Sequence, residues 1–252
     1  MSNSSIAVSG NGVMGQLVRQ ALTRDSAFTC AGCVGPGDYP VLRALPELPD
    51  GIIDFSHPDC LSGIIEYVTS SSDFGHMIPV VIATTGYSEA QIQQIHELSR
   101  IVPVVFSSNF SPGVTILTRL LKEFSPLMAD WDVEIVETHH RRKLDAPSGT
   151  ALTLAKTISA ATASDADGRP LLFGRHGHQK REQEIGVHAV RGGDVRGIHE
   201  IFFFGLGETL TIKHEALDRG LFAAGAVKAM KFALEQKVPG LFSMEDVLFT
   251  PI

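Results

Sequence analysis

The sequence predicts an α/β protein of two domains, and three observations support this prediction. Short β-rich runs alternate with helical patterns through residues 1–110, which is typical of βαβ units and a mainly parallel sheet. A glycine-rich turn directly follows the first of these strands. After Asn109 the pattern changes to two helices with a strand between them, a long polar stretch and three strands joined by glycine-bearing turns. We therefore expect a parallel-sheet domain followed by an α+β domain.

The elements of the first domain are located by hydrophobic periodicity and by residues that begin or end helices. Ser88 and Gln91 have the spacing of a capping box, which marks the start of a helix. Strands are predicted at residues 5–9, 28–34, 51–55, 77–83 and 102–106, and helices at 14–24, 61–69 and from Ser88 onward.

The second domain begins with a helix that Ser111 can cap, with Pro112 in its first turn and an end near Phe124. The turns at 192–194 and 205–208 favour an antiparallel meander of the last three strands. The remaining predictions are strands at 131–138, 185–191, 197–204 and 209–215, a loop at 163–184, and helices at 148–160 and 221–235.

Composition excludes several classes of protein. A net charge of −7 over 252 residues, without a run of basic residues, argues against a nucleic-acid binder held by phosphate contacts. No segment approaches the roughly 18–20 apolar residues that a membrane span requires, and the polar start does not resemble a signal peptide. Three cysteines form an odd and sparse set that suits a reducing compartment. We expect a cytoplasmic protein that binds a small molecule.

A metal site is not expected. Cys30 and Cys33 have redox or zinc spacing, but residues three apart on a regular strand face opposite sides. His176 and His178 lie in the long polar stretch, with no carboxylate partners at helical spacing.

The glycine turn at residues 10–15 lies between the first strand and the first helix, which is the position of a dinucleotide-binding fingerprint in a Rossmann-like domain. Its glycines permit a tight turn and close approach of a pyrophosphate, and the helix N-terminus supplies amide donors. An acidic residue would indicate NAD and an arginine NADP, but Asp38 is late and lies in a loop, so the preference between NADH and NADPH stays open. The predicted cofactor contacts are Gly10, Asn11, Gly12, Val13, Met14 and Gly15.

Two further strand ends belong to the same edge of a parallel sheet. Small hydroxylic residues beside a glycine allow a flat nicotinamide to lie close to the backbone, although both segments are equally compatible with ordinary strand-to-helix turns. The residues are Thr84, Thr85 and Gly86 after one strand, and Ser108, Asn109 and Phe110 after the next.

A cluster of histidines and cations at residues 137–150 combines two histidines, three permanent cations and a helix-capping segment. Cations and a helix N-terminus bind carboxylates, and His139 or His140 can supply a proton near neutral pH. Adjacent histidines on a strand point to opposite faces, which disfavours a shared metal ion. The alternative is a solvated basic loop with one structural histidine.

The run from Glu137 to Ala151, with its His-His pair, Lys143 and the segment Asp-Ala-Pro-Ser-Gly-Thr-Ala, closely resembles the signature of the dihydrodipicolinate reductase family, also called 4-hydroxy-tetrahydrodipicolinate reductases. Similar segments span most of the chain. They are Thr84-Thr85-Gly86, Asn109-Phe110-Ser111, Val190-Arg191-Gly192-Gly193-Asp194 and Phe222-Ala223-Ala224-Gly225-Ala226.

The resemblance implies NADH- or NADPH-dependent reduction of a cyclic imine dicarboxylate in diaminopimelate and lysine synthesis, by hydride addition and then protonation. It makes His139 the proton donor and Lys143 the principal cation for a substrate carboxylate. It implies that the substrate is also bound by His140, Ser148, Gly149 and Thr150.

The resemblance also implies the domain layout: a dinucleotide-binding domain of residues 1–110, completed by 220–252, and an open mixed-sheet domain of 111–219 for substrate binding and oligomerisation. A homotetramer is expected, and the run Phe202-Phe203-Phe204 suits a strand buried on both faces at a subunit interface or in an ordinary core. Many family members differ at Ser9, Val13, Gly35 and Pro36, near the adenosine end.

Three other functions are compatible with parts of the pattern. A nucleotide-sensing regulator would keep the binding fold without turnover, but it has no need for a proton donor such as His139. A metal-dependent hydrolase would depend on the histidines and be sensitive to chelators. A dehydrogenase of another amino or keto acid can be distinguished from the reductase only by testing substrates.

Overall fold

The computed structural model describes residues 3–35, 42–163 and 167–250. The chain divides into two compact units: unit 1 comprises Met1–Pro112 with Arg219–Ile252, and unit 2 comprises Gly113–Asp218. The strands are β1 (Ser4–Ser9), β2 (Phe28–Val34), β3 (Gly51–Asp54), β4 (Val80–Ile82), β5 (Pro103–Phe106), β6 (Asp132–His139), β7 (Leu171–Phe173), β8 (Ile185–Arg191), β9 (Ile198–Gly205), β10 (Glu208–Glu215) and β11 (Gly240–Phe242). The helices are α1 (Val13–Arg24), α2 (Leu61–Ser72), α3 (Glu89–Leu98), α4 (Pro112–Phe124), α5 (Gly149–Ala161), α6 (Gly220–Glu235) and α7 (Met244–Phe249).

Unit 1 is built on a six-stranded parallel sheet in the order β11-β5-β4-β3-β1-β2. Side chains alternate across it, so that Ile6 and Val8 pack on the face covered by α1 and α6, while Ala7 packs on the face covered by α2 and α3. Burial on both faces explains why β4 is entirely apolar and why β3 has no polar side chain before Asp54, its last residue. The prediction of a Rossmann-like parallel sheet is confirmed.

Most predicted boundaries in unit 1 agree with the structure to within a few residues. The capping box at α3 forms, since Ser88 Oγ accepts from the Gln91 amide at 3.3 Å and the Ser88 amide donates to Gln91 Oε1 at 3.0 Å. The strand expected from Met77 begins only at Val80, immediately after Pro79, which has no N–H group to donate to a ladder.

Strand β2 contains an irregularity that overturns one sequence expectation. Cys30 lies opposite Ile6 but Gly32 lies opposite Ala7, so Ala31 is an extra residue in the pairing. Because of this bulge, Cys30 and Cys33 both pack against the same apolar cluster. The expectation that they face opposite sides of the sheet is therefore wrong.

Unit 2 contains a five-stranded mixed sheet in the order β10-β9-β6-β8-β7. Its central strand β6 alternates strictly, with Val133 and Ile135 buried in a core shared with α4 and α5. The predicted α+β domain with an open mixed sheet is therefore confirmed. Phe203 is buried in this core, whereas Phe204, on the opposite face, remains 41% exposed.

Two details of unit 2 differ from the sequence predictions. Strands β9 and β10 form the expected antiparallel hairpin, but β8 does not pair with β9, because β6 lies between them and pairs with both. The connection 192–197 is long enough to cross two strand spacings of about 4.8 Å each. A short strand, β7, also lies within the stretch that was predicted as a loop.

The C-terminal segment belongs to unit 1. Helix α6 packs on the parallel sheet, and β11 adds to its edge beside β5. A Cβ atom at Gly225 would lie 1.8 Å from the Phe110 carbonyl oxygen, so only glycine permits this approach of the helix to the backbone. Among the described residues, no helix is long and apolar enough to cross a membrane.

Candidate active site

The glycine turn of unit 1 has the geometry that a bound pyrophosphate requires. Gly10 has a φ of +107° and hydrogen-bonds through its amide to the Val34 carbonyl at 2.9 Å. A Cβ at Gly15 would lie 1.7 Å from the Gly10 carbonyl oxygen, so α1 can begin against the turn only with glycine there. Gly12 is the N-cap of α1, so no N-cap side chain hydrogen-bonds to the first amides of this helix. Among the described residues, nothing lies within 4 Å of a Cβ built on Gly12. The first amides of α1 are therefore accessible to an anion.

This turn lies at the point where the strand order reverses. The chain passes from β1 to β2 on one side and then crosses to β3 on the other, which opens a crevice at the carboxyl ends of β1 and β3. A Cβ at Gly10 would lie 2.3 Å from the Phe55 carbonyl oxygen, so the two strand ends are in close contact. Asn11, Gly12 and Val13 are exposed, Met14 is half-buried and Gly15 is buried. Asp38, considered above for the ribose, lies outside the described residues.

A buried carboxylate links these strand ends. Asp54 is fully buried and accepts hydrogen bonds from Ser9 Oγ at 2.8 Å and Tyr87 OH at 3.2 Å. Burial and the neighbouring Asp54 raise the pKa of Tyr87, which keeps its hydroxyl as a donor. The Ser56 amide donates to Thr84 Oγ1 at 2.8 Å. Ser9, one of the departures from the family pattern, thus has a structural partner, and its link to Asp54 was missed in the sequence.

The other predicted nicotinamide contacts differ in accessibility. Thr84 is buried, whereas Thr85, Gly86 and Ser108 are exposed. Asn109 Oδ1 accepts from the Ser111 amide at 2.8 Å. Phe110 is buried in the core, where its ring lies 6.1 Å from that of Phe55.

In unit 2, the alternation of β6 places Glu137 and His139 on the same, buried face. Glu137 Oε2 lies 2.5 Å from His139 Nδ1, and Arg191 binds both carboxylate oxygens at 2.6 and 2.8 Å. The Ser148 amide donates to Glu137 Oε1 at 3.0 Å. Burial raises the pKa of Glu137, but the hydrogen bonds from His139, Arg191 and Ser148 outweigh it and hold the pKa at about 2. The carboxylate is therefore ionised at neutral pH.

A second histidine, His199, completes this cluster. It lies opposite Glu137 in the β6–β9 ladder, with its ring edge-on to that of His139 at 5.3 Å. Burial, together with the positive charges of neighbouring groups, lowers its pKa to about 4, so it is neutral at physiological pH. Ser148 Oγ accepts from the Ala151 amide at 3.2 Å and lies 3.2 Å from His199 Nε2, to which it can donate.

The loop after β6 carries the cations. Lys143 Nζ lies 2.8 Å from Asp145 Oδ1, and although burial raises the pKa of Asp145, the bond from Lys143 lowers it below the ordinary value. Arg142 pairs with Asp194 at 2.7 Å in solvent. His140 lies just beyond the end of β6 and is half-buried.

Helix α5 begins at this loop with Ser148 as its N-cap. Gly149 is exposed, and among the described residues nothing lies within 4 Å of a Cβ built on it. Thr150 is half-buried in the first turn. This helix N-terminus can receive a carboxylate.

The structure thus brings His139, Ser148 and the start of α5 together around Glu137. The roles of Glu137, Arg191 and His199 in this cluster were not predicted from the sequence. The two-residue spacing of Glu137 and His139 on a strand does indicate that they share a face. In the parts of the chain that the structure describes, no group of three or more His, Cys, Asp or Glu side chains is arranged to hold a metal ion.

Comparisons with known proteins show which family the chain is similar to. Residues 4–110 match the family model described as dihydrodipicolinate reductase, N-terminus, and residues 113–248 match its C-terminus. The 4-hydroxy-tetrahydrodipicolinate reductase of Clostridium novyi is 38% identical over 97% of this chain and 98% of its own. That of Exiguobacterium sibiricum is 42% identical over 83% and 81% of the two chains.

Solved structures show the same fold. A dipicolinate-bound dihydrodipicolinate reductase from Paenisporosarcina sp. TG-14 has a TM-score of 0.74 at 23% identity, covering 98% of this chain and all of that one. A diaminopimelate dehydrogenase from Corynebacterium glutamicum has a TM-score of 0.53 at 12% identity, covering 100% and 97% of the two chains. The two family models together match nearly the whole chain, which therefore belongs to the dihydrodipicolinate reductase family.

Proposed function

We propose that this protein is an NADH- or NADPH-dependent 4-hydroxy-tetrahydrodipicolinate reductase, which forms tetrahydrodipicolinate in diaminopimelate and lysine synthesis. The observation that carries the proposal is the buried pairing of Glu137 with His139 beside the N-terminus of α5. This arrangement combines a histidine that can transfer a proton with a helix N-terminus that can bind a carboxylate. The curated names of relatives that align over most of the chain support the same reaction.

The cofactor is held by unit 1. Gly10, Gly12 and Gly15 leave the backbone and the first amides of α1 accessible to the pyrophosphate, together with Asn11, Val13 and Met14. We assign the nicotinamide end to Thr84, Thr85, Gly86, Ser108, Asn109 and Phe110, of which the buried Phe110 acts through packing. When bound, the reduced nicotinamide supplies a hydride.

The substrate is a dicarboxylate, and unit 2 offers two kinds of carboxylate partner. Lys143, beside Asp145, provides a cation, with His140 nearby in the same loop. Ser148, Gly149 and Thr150 provide the amides and hydroxyls of a helix N-terminus. The 4-hydroxyl of the substrate leaves as water, and the hydride together with a proton from His139 reduces the ring. Such a proton transfer typically contributes about 10²–10⁴-fold to a rate.

The experiment follows the loss of reduced-nicotinamide absorbance with NADH and NADPH in parallel, using substrate generated in situ from pyruvate and aspartate semialdehyde. We expect turnover that collapses in His139→Gln and Lys143→Ala. Arg142→Ala is the matched control, because it removes a neighbouring cation that pairs with Asp194 in solvent, and it should retain activity.

Other outcomes select the alternatives. Tight dinucleotide binding without turnover of any substrate would identify a nucleotide-sensing regulator. Turnover of a different keto or amino acid would identify another dehydrogenase. Sensitivity to a chelator would identify metal-dependent chemistry.

We also propose a homotetramer in the cytoplasm. Phe202 and Phe204 stack at 5.9 Å on the sheet face that points away from the core of unit 2. An apolar groove of about 260 Å³ adds further exposed apolar surface; it is lined by α4, the 3-10 turn that follows it and β10, with Leu120, Phe124 and Leu127 among its residues. Sedimentation velocity tests the tetramer, and a monomer at micromolar concentration would refute it. The sparse cysteines support the proposed location in the cytoplasm, because they suit a reducing compartment.

A further inference from the structure

Glu137 stands out in unit 2 because it is completely buried and contacts the proposed proton donor, His139. Its side chain has no exposed surface, and both oxygens are used. Oε2 contacts His139 Nδ1 and Arg191, while Oε1 contacts Arg191 and the Ser148 amide. A buried carboxylate is costly unless it is paired and hydrogen-bonded, so such an arrangement calls for a reason.

The first consequence concerns the two nitrogens of the His139 ring. An ionised carboxylate only accepts hydrogen bonds, so at 2.5 Å from Glu137 the Nδ1 atom must carry the hydrogen. A ring that keeps its hydrogen on Nδ1 can give or take a proton only at Nε2. The free ring has no such constraint, since either nitrogen can carry the hydrogen.

The second consequence concerns the space around Nε2. A Cβ built on Gly197 would lie 3.0 Å from His139 Nε2, so a side chain at this position would crowd that nitrogen. The His139 side chain is 11% exposed, and the absence of a Cβ at Gly197 leaves space beside the Nε2 atom. The nitrogen left to react is thus the one that has room beside it.

Arg191 holds the carboxylate in place. Its two terminal nitrogens bind the two oxygens of Glu137, and one of them also binds the Asp145 carbonyl at 2.6 Å. A bidentate arginine fixes both the position and the plane of a carboxylate. The neutral His199 ring packs edge-on against His139 from β9.

We propose that Glu137 is a positioning residue for proton transfer: clamped by Arg191, it holds the hydrogen of His139 on Nδ1 and presents Nε2 to the substrate across the gap left by Gly197. The inference rests on the proposed function for the identity of the proton acceptor. The arrangement of the ring is a property of the protein itself and is tested without any substrate.

The first test is the tautomer of His139, read from long-range ¹H–¹⁵N NMR spectra of the full-length protein with ¹⁵N-labelled histidine, at a pH where the ring is neutral. His139→Gln assigns the resonance by difference. We expect the Nδ1–H tautomer in the wild type and a shift toward the Nε2–H tautomer in Glu137→Gln. A wild-type ring in the Nε2–H form would overturn the proposal, whether or not the protein turns over the substrate.

The second test is kinetic. We expect Glu137→Gln to lower kcat by roughly 10²–10⁴-fold, the range typical of a lost acid–base group, while KM and the dinucleotide Kd stay within about twofold. Glu137→Asp, which retains the charge but shortens the side chain, should be intermediate. Gly197→Ala should lower kcat and leave the Nδ1–H tautomer unchanged.

A merely structural role gives a different pattern. Glu137 also accepts a hydrogen bond from the Ser148 backbone amide, so loss of that support alone would raise KM and leave the tautomer of His139 unchanged. Wild-type kcat in a folded Glu137→Gln would overturn the proposal. If Glu137→Gln does not fold, Glu137→Asp and Gly197→Ala test the proposal in its place. An unchanged kcat in both variants would refute the proposal. Absence of wild-type turnover with a confirmed Nδ1–H tautomer would count against the proposed function only.

Discussion

Glu137 makes the stability of unit 2 depend on pH in a way that can be worked out from the structure. Its pKa is about 2 in the folded protein, against an ordinary value of 4.5. This gap corresponds to at most about 3 kcal/mol of folding free energy. Because the folded-state pKa is depressed, the stabilisation is fully present above about pH 4.5 and is lost as the pH falls toward 2. About 2 kcal/mol of it should disappear between pH 6 and pH 3.

The assay is urea unfolding of the wild type and Glu137→Gln at several pH values, followed by tryptophan fluorescence. The single tryptophan, Trp131, lies in unit 2, so the signal reports on the unit that contains Glu137. The difference in unfolding free energy between the two proteins cancels the titration of the other carboxylates. We expect this difference to fall by about 2 kcal/mol between pH 6 and pH 3.

Glu123→Gln is the matched control, because Glu123 pairs with Arg119 on the surface of the same unit with 48% of its side chain exposed. The wild type and this variant should keep nearly parallel pH dependences. A difference for Glu137→Gln that stays constant down to pH 3 would refute the reasoning, since it would mean that Glu137 takes up its proton at the same pH in the folded and unfolded chains.

The glycines of unit 1 lead to two further predictions. Gly15→Ala should destabilise the protein and abolish dinucleotide binding, because its Cβ meets the Gly10 carbonyl oxygen. Gly12→Ala, whose Cβ has room, should fold normally and lose only affinity. Thermal unfolding separates the two variants, calorimetric titration with NADH measures their affinity, and normal binding by Gly15→Ala would contradict the geometry. Gly225→Ala should lower the free energy of unfolding by about 1–3 kcal/mol, because the added Cβ overpacks against the Phe110 carbonyl. Thermal unfolding measures the effect, with Ala224→Ser at the neighbouring exposed position as the control. An unchanged melting temperature of Gly225→Ala would contradict the prediction.

Most of the fold was predictable because the periodicity of unit 1 is simple. Strands buried on both faces and helices with clear caps leave strong local signals, as at Ser88. The misses involve relations between strands. Nothing local in the Gly192–Gly193–Asp194 turn shows that β6 lies between β8 and β9, since that pairing depends on a strand about fifty residues earlier. Likewise, the bulge at Ala31 exists only relative to β1.

The polar stretch before β8 was misread for a related reason. Arg169 lies within it yet is buried, with its guanidinium bonded to the Trp131 carbonyl at 3.2 Å. Arg181 reaches Glu134 on β6. Long-range pairing thus orders residues whose composition alone is typical of a solvated loop.

The candidate site was predictable as a set of residue types but not as a network. The glycine turn and the His-His-Lys run are contiguous in sequence, so both were found. The partners of Glu137 and Ser148 come from distant strands, with Arg191 on β8 and His199 on β9. Their positions follow from the sheet order, which the sequence did not reveal.

The return of the C-terminal segment to unit 1 has a consequence for how the chain folds during synthesis. Unit 2 is continuous, from Gly113 to Asp218, whereas one face of the parallel sheet is covered in part by α6, including Ala226, Met230 and Phe232. As the chain leaves the ribosome, the later unit can therefore finish folding while the earlier one still has an uncovered apolar face. We expect nascent chains that end near residue 219 to carry a protease-resistant C-terminal unit and to need chaperone protection for the N-terminal one.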